Sequence, residues 1–173
     1  PIPMGILVSV VMGMVLTLPI SSAALAVMLE LGGLAAGAAT VGCATQMIGF
    51  AVSSYKENGV GGLISQGLGT SMLQVPNIVR NPLIWVPPTL ASAILGPLAT
   101  TVLPMENVPI GAGMGTSGLV GQFGTIEAMG LSAGVLMKIG LLHFLLPAVL
   151  TLVIAEFMRK QGWIKFGDMK LDI

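Results

Sequence analysis

The chain has 173 residues, with seven basic and seven acidic side chains, so its formal net charge is zero. Charged residues make up 8% of the sequence and hydrophobic residues 54%, and the mean hydropathy is +0.96. Soluble globular domains have a quite different composition, and so few, balanced charges exclude the basic surface that nucleic acid requires. We therefore expect a polytopic membrane protein whose first partner is the lipid bilayer.

Six uncharged runs divide the chain into segments that can cross a bilayer or come close to it. They cover residues 1–29, 31–55, 58–79, 81–105, 107–126 and 139–155. A hydrocarbon core about 30 Å thick requires roughly 20 apolar residues per helix. The predicted fold class is therefore all-α, a helical bundle in the membrane. The chain begins with neither an initiator methionine nor the basic region of a signal peptide, so we expect further sequence upstream.

The first apolar helix is predicted at residues 4–18. It ends before Pro19, because proline disfavours helical geometry in the residue that precedes it. Ser21 and Ser22 are placed to cap the short apolar run that follows, since serine side chains accept hydrogen bonds from the first free N–H groups of a helix.

The next crossing is predicted at residues 32–54. Gly33 and Gly37 within it form a pair of small residues, four apart, of the kind that lets another helix approach closely. Residues 56–59, with the sequence Lys-Glu-Asn-Gly, are then predicted to form a polar turn.

Two glycine-rich stretches are predicted to be broken or re-entrant rather than regular lipid-facing helices. Residues 60–74 contain four glycines and residues 107–130 contain seven. Irregular backbone and polar side chains are poorly satisfied in hydrocarbon, so protein or a cavity must cover these stretches. Between them, residues 81–103 carry four prolines and should form a kinked or discontinuous helix.

The last crossing is predicted at residues 131–158. Four basic side chains follow it, namely Arg159, Lys160, Lys165 and Lys170. By the positive-inside rule, this excess predicts a cytoplasmic C-terminus. We therefore divide the chain into a membrane domain, residues 1–158, and a cytoplasmic tail, residues 159–173.

Two stretches share the pattern E-x5-A-G-x2-T-x-G-x3-Q. The first runs from Glu30 to Gln46 and the second from Glu106 to Gln122. Glutamate occurs only five times in the chain, so the matching Glu, Thr and Gln favour a duplication over chance. Many secondary transporters are built from internal repeats, with the solute site at the repeat interface. We therefore predict that Glu30 and Glu106 occupy equivalent positions in two related helical units, parallel or inverted, and face one cavity.

Three glutamates are candidate cavity carboxylates: Glu30, Glu106 and Glu127. A carboxylate inside a membrane is costly and usually faces an interior or aqueous cavity, although each of these three can also lie at the membrane interface. Neutral polar or small residues nearby would suit a hydroxyl-rich ligand. This set consists of Asn107, Gly113, Thr116, Ser117, Gln122 and Gln46.

Several other kinds of site are not supported by the sequence. Residues 113–118 match the pattern GxGxxG, but a dinucleotide site also needs a strand, turn and helix around the glycines, so we reject it. The single histidine, His143, and the single cysteine, Cys43, are interpreted as packing residues. No spacing of ligand residues predicts a metal site, and no cofactor is expected.

Two longer runs resemble a known family. They are residues 81–97, NPLIWVPPTLASAILGP, and residues 105–122, MENVPIGAGMGTSGLVGQ. They are similar to the second enzyme IIC-type membrane family of the bacterial phosphotransferase system, which includes perfringolysin O regulator-like proteins. Residues 18–24 and 54–62 fit the same family, so the resemblance covers most of the chain.

The resemblance implies a permease subunit of the bacterial inner membrane. Such a subunit binds a sugar or similar small polar solute and presents it to cytoplasmic phosphoryl-carrier subunits. The chain lacks the carrier domains, so we expect a transport component rather than an enzyme, working by alternating access as a homo-oligomer. By analogy with related sugar permeases, Glu106 is the candidate sugar contact. The alternative is a membrane-embedded regulator or sensor that does not transport.

Overall fold

The computed structural model describes residues 2–18 and 21–171, and it is 79% helical with no strand in this part of the chain. The predicted all-α fold class is therefore confirmed. The α-helices are α1 (Ile2–Thr17), α2 (Ser22–Met28), α3 (Gly33–Ser53), α4 (Tyr55–Ile64), α5 (Val75–Arg80), α6 (Val86–Thr100), α7 (Pro109–Ala112), α8 (Val120–Met129), α9 (Ala133–Ile139) and α10 (Leu146–Lys160). Tighter and wider turns connect some of them: the 3-10 helices Ser71–Gln74, Pro82–Trp85 and Ser117–Leu119, and the π-helices Ser65–Gly69 and Gly140–Leu145.

Three continuous helical stretches in the described residues are long and apolar enough to cross a membrane. They are Gly33–Ser53, Pro82–Thr100 and Ala133–Lys160, and they coincide with three of the predicted crossings. α1 is apolar but shorter, with 16 residues. The proline that was expected to end it, Pro19, lies outside the described residues.

The centre of the bundle is α3, which packs against α1, α6 and α10. Most of its side chains are Ala, Gly, Thr or Ser, and nearly all of those from Ala36 to Ala51 are buried. Small side chains on every face let neighbouring backbones approach from all sides. α3, which is rich in small residues, is therefore the most enclosed of the three membrane-length stretches.

The glycine of α3 that lies against the backbone of another helix is not in the predicted pair. A Cβ on Gly42 would overlap the Ser9 carbonyl of α1. A Cβ on Gly33 would meet nothing within 4 Å, and Gly37 lies against the backbone of Met105, which belongs to a loop. The prediction that Gly33 and Gly37 form a helix-packing pair is therefore wrong.

Both glycine-rich stretches are broken, as predicted. In the first, α4 passes into the π-helix, Thr70 is extended with φ −160°, and a 3-10 turn follows. In the second, α7 has only four residues, and Gly118 and Leu119 adopt positive φ before α8 begins. Whether either stretch re-enters the membrane from one side stays a prediction.

The polar turn predicted at residues 56–59 lies within the bounds of α4 and forms a kink there. Gly59 has a φ of 64° and a non-helical backbone, and it divides α4 into two short helical segments. The proline-rich crossing is discontinuous, as predicted: Asn81 caps a 3-10 turn that begins at Pro82, and α6 follows with Pro97 in its interior. The local breaks therefore fall where residues with restricted or unusual φ stand.

The two copies of the repeated pattern do not share a structure. In the first copy, the residues from Ala36 to Gln46 belong to one uninterrupted helix, α3. In the second copy, the residues from Ala112 to Gln122 pass through the end of α7, a turn, a 3-10 turn and the start of α8. The prediction of two related helical units is therefore wrong.

The segment after α10 folds back along residues 58–74. The Gln74 side chain donates to the Met169 carbonyl at 3.0 Å, and the Asn58 side chain donates to the same carbonyl at 2.9 Å. The Asn58 side-chain oxygen accepts from the Leu171 N–H at 2.7 Å. Side-chain amides thus bind this segment through its backbone, and Met169 is fully buried.

An enclosed ion pair joins the start of α4 to the end of α10. Arg159 Nη2 lies 2.6 Å from Glu57 Oε1, and the Glu57 side chain is fully buried. The second carboxylate oxygen of Glu57 accepts from the Met169 N–H at 3.1 Å. By contrast, Lys56 and Glu156 form a pair at 3.3 Å whose side chains are 62% and 38% exposed.

We expect Glu57→Gln to destabilise the protein strongly, because it leaves the Arg159 charge buried without its partner. Removing one member of a buried pair costs about 3–5 kcal/mol. Thermal unfolding of the purified protein in detergent measures the loss. The matched control is Glu156→Gln, which breaks the exposed pair and should cost at most about 1 kcal/mol. Equal losses of stability in the two variants would show that the buried ion pair contributes no more than the exposed one.

Gly42→Ala should also destabilise the protein, because the added methyl group forces α1 away from α3. Overpacking of this kind costs about 1–3 kcal/mol. The control is Gly140→Ala, where a Cβ meets nothing within 4 Å. Alanine there should be neutral or stabilising, since glycine is the poorer helix former by about 1 kcal/mol. A stabilising Gly42→Ala would refute the close packing, and the same unfolding assay measures both variants.

Candidate functional site

The two broken stretches meet inside the bundle. The π-helix Ser65–Gly69 packs against the 3-10 turn Ser117–Leu119. Thr116, fully buried just before that turn, donates its hydroxyl to the Gly67 carbonyl at 2.5 Å. This hydrogen bond joins the irregular backbone of two stretches that are far apart in the sequence.

A cavity of about 480 Å³ lies beside this junction. Its walls come from the end of α1, the start of α2, the chain after the first π-helix, and the turn after α7. The lining contains four hydroxyl side chains, Ser21, Ser22, Thr70 and Ser117. It also contains the apolar side chains Leu16, Ala23, Met47, Met72 and Met114, the glycines Gly69 and Gly113, and no charged residue.

The hydroxyl groups of the cavity are partly occupied by local bonds. Ser22 donates to the Gly113 carbonyl. Ser21 caps α2 by accepting from the Ala24 N–H at 3.2 Å, as predicted, and Thr70 accepts from the Met72 N–H at 3.1 Å. Ser21 and Thr70 therefore retain a hydroxyl proton that can be donated to a ligand.

Glycine is required where the walls touch. A Cβ on Gly113 would overlap the backbone of Ser22, and one on Gly115, whose φ is 55°, would collide with the backbone of α3 at Cys43. The turn after α7 can therefore lie directly on α2 and α3, which places Ser117 on the cavity wall.

Two of the predicted site residues, Gly113 and Ser117, line this cavity, and Thr116 anchors its wall. Gln46 lies next to Met47 on α3, and its amide is fully engaged. Its oxygen accepts from Trp85 Nε1 at 3.0 Å, and its nitrogen donates to Thr89 Oγ1 at 3.1 Å. The structure thus gives Gln46 a role in joining helices.

Asn107 is also engaged within the protein. Its side-chain nitrogen donates to Thr40 Oγ1 at 2.7 Å and to the Gly121 carbonyl at 2.9 Å. Its oxygen accepts from the Val108 N–H at 2.7 Å. Asn107 is 2% exposed, so it positions the second broken stretch on α3.

The three candidate carboxylates lie elsewhere. Glu30, Glu106 and Glu127 are exposed, and none of them lines the cavity. A backbone bond from the Asn107 N–H to the Gly33 carbonyl, at 3.3 Å, does bring the stretches that carry Glu30 and Glu106 side by side. The segments that carry these two glutamates are therefore adjacent, but neither glutamate lines this cavity.

Gln122, the remaining predicted site residue, pairs with His143. The Gln122 amide nitrogen lies 2.8 Å from His143 Nδ1, and both side chains are buried. Gln122 Oε1 and His143 Nε2 have no hydrogen-bond partner within the described residues. His143 lies in the π-helical part of the last crossing and Gln122 in α8, and neither of them lines the cavity.

Sequence reasoning missed most of the cavity wall. Ser21 and Ser22 were interpreted only as helix caps, and Thr70, Met47 and Met114 were not singled out. A usable signal was present, because Ser21, Ser22 and Thr70 stand next to breaks in the helices. Exposed backbone ends and hydroxyl groups cluster at such breaks when they face a cavity.

The comparisons with known proteins agree with this architecture. A family model described as "Phosphotransferase system, EIIC" matches residues 1–171. Neither the curated proteins nor the solved structures give a significant match. With three apolar membrane-length helices in the described residues, the protein is a permease-like membrane component of the transport type, distinct from the phosphoryl-carrier domains. The chain belongs to the EIIC family of the phosphotransferase system.

Proposed function

We propose that this chain binds a sugar, or a similar uncharged polyhydroxy solute, in the cavity between its two broken stretches and moves it across the membrane. The observation that carries the proposal is the cavity lining, which combines four hydroxyl groups with methionine and leucine side chains and contains no charge. Membership of the EIIC family supports a role in transport.

An uncharged lining suits a neutral ligand. Sugars present hydroxyl groups at their edges and C–H groups on their faces, so they need hydrogen-bonding partners and apolar surface together. Ser21, Thr70 and Ser117 offer the first, while Met47 and Met114 offer the second. The volume of about 480 Å³ falls within the roughly 300–1,000 Å³ that is usual for small-molecule sites.

Alternating access is proposed because the cavity walls are themselves discontinuous. Broken helices around a solute site are typical of secondary transporters. One hydroxyl-to-carbonyl bond, from Thr116 to Gly67, links the two broken stretches, and Gly115 and Gly118 beside it have positive φ. Exchange of this bond for contacts with the solute would let the two walls separate.

The cellular setting follows from the family and belongs to the same proposal. We infer a location in the bacterial inner membrane, a cytoplasmic C-terminus, a membrane domain at residues 1–158 with a cytoplasmic tail at 159–173, and assembly as a homo-oligomer. The partners would be cytoplasmic phosphoryl-carrier subunits, which receive the solute. The basic side chains after α10 support the orientation, by the positive-inside rule.

Ser117→Ala should weaken solute binding, because it removes a hydroxyl from the cavity wall. A neutral hydrogen bond contributes about 0.5–1.5 kcal/mol, so the dissociation constant should rise roughly twofold to tenfold. Isothermal titration of the purified protein with a panel of sugars and sugar phosphates measures it. Ser65→Ala is the control, since Ser65 bonds to the Gly61 carbonyl at the end of the adjoining α4 and does not line the cavity.

Three outcomes of the Ser117 experiment are informative. Weaker binding in Ser117→Ala alone supports the cavity as the solute site. Unchanged binding in both variants argues against it. If the parent protein binds sugar but does not take it up into vesicles, the transport hypothesis would be replaced by the alternative, a regulator or sensor.

Glu106→Gln tests whether the solute binds in the cavity or at the carboxylates. A cavity-facing carboxylate that bonds the solute would contribute about 1.5–3 kcal/mol, and its loss would weaken binding tenfold or more. Glu106 is exposed and does not line the cavity, so we expect an unchanged dissociation constant. A tenfold loss in a folded Glu106→Gln protein would move the solute site to the glutamates.

A further inference from the structure

A second cavity, distinct from the candidate solute site, lies at the C-terminal end of α10. Its volume is about 350 Å³. Three cationic residues line it, Lys56, Arg159 and Lys165, and no carboxylate does. The uncharged part of the lining consists of Gly162, Ile164 and Phe166.

The three cations differ in how far they are already neutralised. Arg159 is held by the buried Glu57 carboxylate at 2.6 Å, and Lys56 contacts the half-exposed Glu156 carboxylate at 3.3 Å. The Lys165 ammonium forms no ion pair within the described residues. The Asp168 carboxylate lies beside Lys165, where it accepts from the Lys165 backbone N–H at 2.8 Å. The Lys165 ammonium can nevertheless turn to an added anion, and Lys56 can exchange its exposed partner for one.

An apolar groove adjoins this cavity. It has a volume of about 340 Å³, and Lys56 lines both spaces. Val52, Leu63 and Leu152 form its apolar walls, so α3, α4 and α10 all contribute. Tyr55, Ser53 and Glu156 complete the lining. A positively charged pocket thus opens beside a hydrocarbon-like groove.

Exposed aromatic side chains surround the end of α10. Phe157 is 55%, Trp163 50% and Phe166 73% exposed. Phe157 and Trp163 pack edge to face, with ring centroids 6.1 Å apart. In membrane proteins, aromatic rings and basic side chains at a helix end lie at the level of the lipid headgroups. The side chains at this end of the molecule are therefore typical of a segment that lies at a membrane interface.

We propose that an anionic phospholipid binds here, with its phosphate on Lys165 and Lys56 and one acyl chain in the groove of Val52, Leu63 and Leu152. A free phosphate ion would share the headgroup chemistry but would leave the groove without a role. A zwitterionic lipid would fill the groove but would bring its own cation to a pocket that three cationic side chains already line. The charge and the groove together select an anionic lipid.

Native mass spectrometry of the full chain in mild detergent tests the proposal. The probes are phosphatidylglycerol, phosphatidylcholine of the same acyl length, and inorganic phosphate, each at equal concentration. We expect one phosphatidylglycerol to remain bound at activation energies that remove phosphatidylcholine. Retention of the two lipids to the same extent, or retention of inorganic phosphate as strong as that of phosphatidylglycerol, would overturn the proposal.

Variants locate the bound lipid. Lys165→Gln and Lys56→Gln should each weaken phosphatidylglycerol binding roughly fivefold, the effect of about one basic residue near a membrane surface. Lys165→Arg keeps the charge and should retain the lipid, which separates a charge effect from a folding defect. Lys160→Gln is the matched control, since Lys160 lies beside Arg159 but does not line the cavity. Loss of binding in Lys160→Gln equal to that in Lys165→Gln would reduce the site to general surface charge and overturn it.

Discussion

A helix that breaks inside an apolar bundle releases backbone groups that water cannot reach, so other parts of the protein must bond them. The rest of this structure depends on that constraint. Thr116 satisfies the Gly67 carbonyl, and Ser22 satisfies the Gly113 carbonyl. Both bonds join segments that are distant in the chain. They hold the walls of the cavity together.

The small side chains of α3 make this arrangement possible. A helix of leucines would keep the axes of neighbouring helices about 8–10 Å apart, in the usual range for helix packing. Here the backbone turn at Gly115 lies directly against Cys43, and α1 lies directly against Gly42. At these positions, direct contact between backbones replaces the packing of side chains. The stability of the bundle therefore requires that a few positions carry no Cβ methyl group. Such positions are intolerant of any larger residue.

The sequence predicted the crossings and their breaks because glycine, proline and long apolar runs act locally. It did not predict which side chains line the cavity, because that depends on how each segment is rotated and on what packs against it. Glu106 immediately precedes the uncharged run that contains Ser117, yet only Ser117 faces the cavity. The repeated pattern does not correspond to a shared structure. The two stretches pack against each other, with Thr40 Oγ1 3.4 Å from the Gly111 carbonyl and Cys43 Sγ 3.7 Å from the Ala112 carbonyl.

The return of the chain after α10 sets an order of events during synthesis. Gln74 precedes its partner Met169 by 95 residues, and it also donates to the buried Gln66 at 2.7 Å. Synthesis runs from the N-terminus to the C-terminus, so these amides are made long before their last acceptor exists. The 3-10 turn that carries Gln74 therefore acquires its full set of bonds only after α10 has been made. Met72 of the same turn lines the cavity, so this part of the cavity wall completes its hydrogen bonding late.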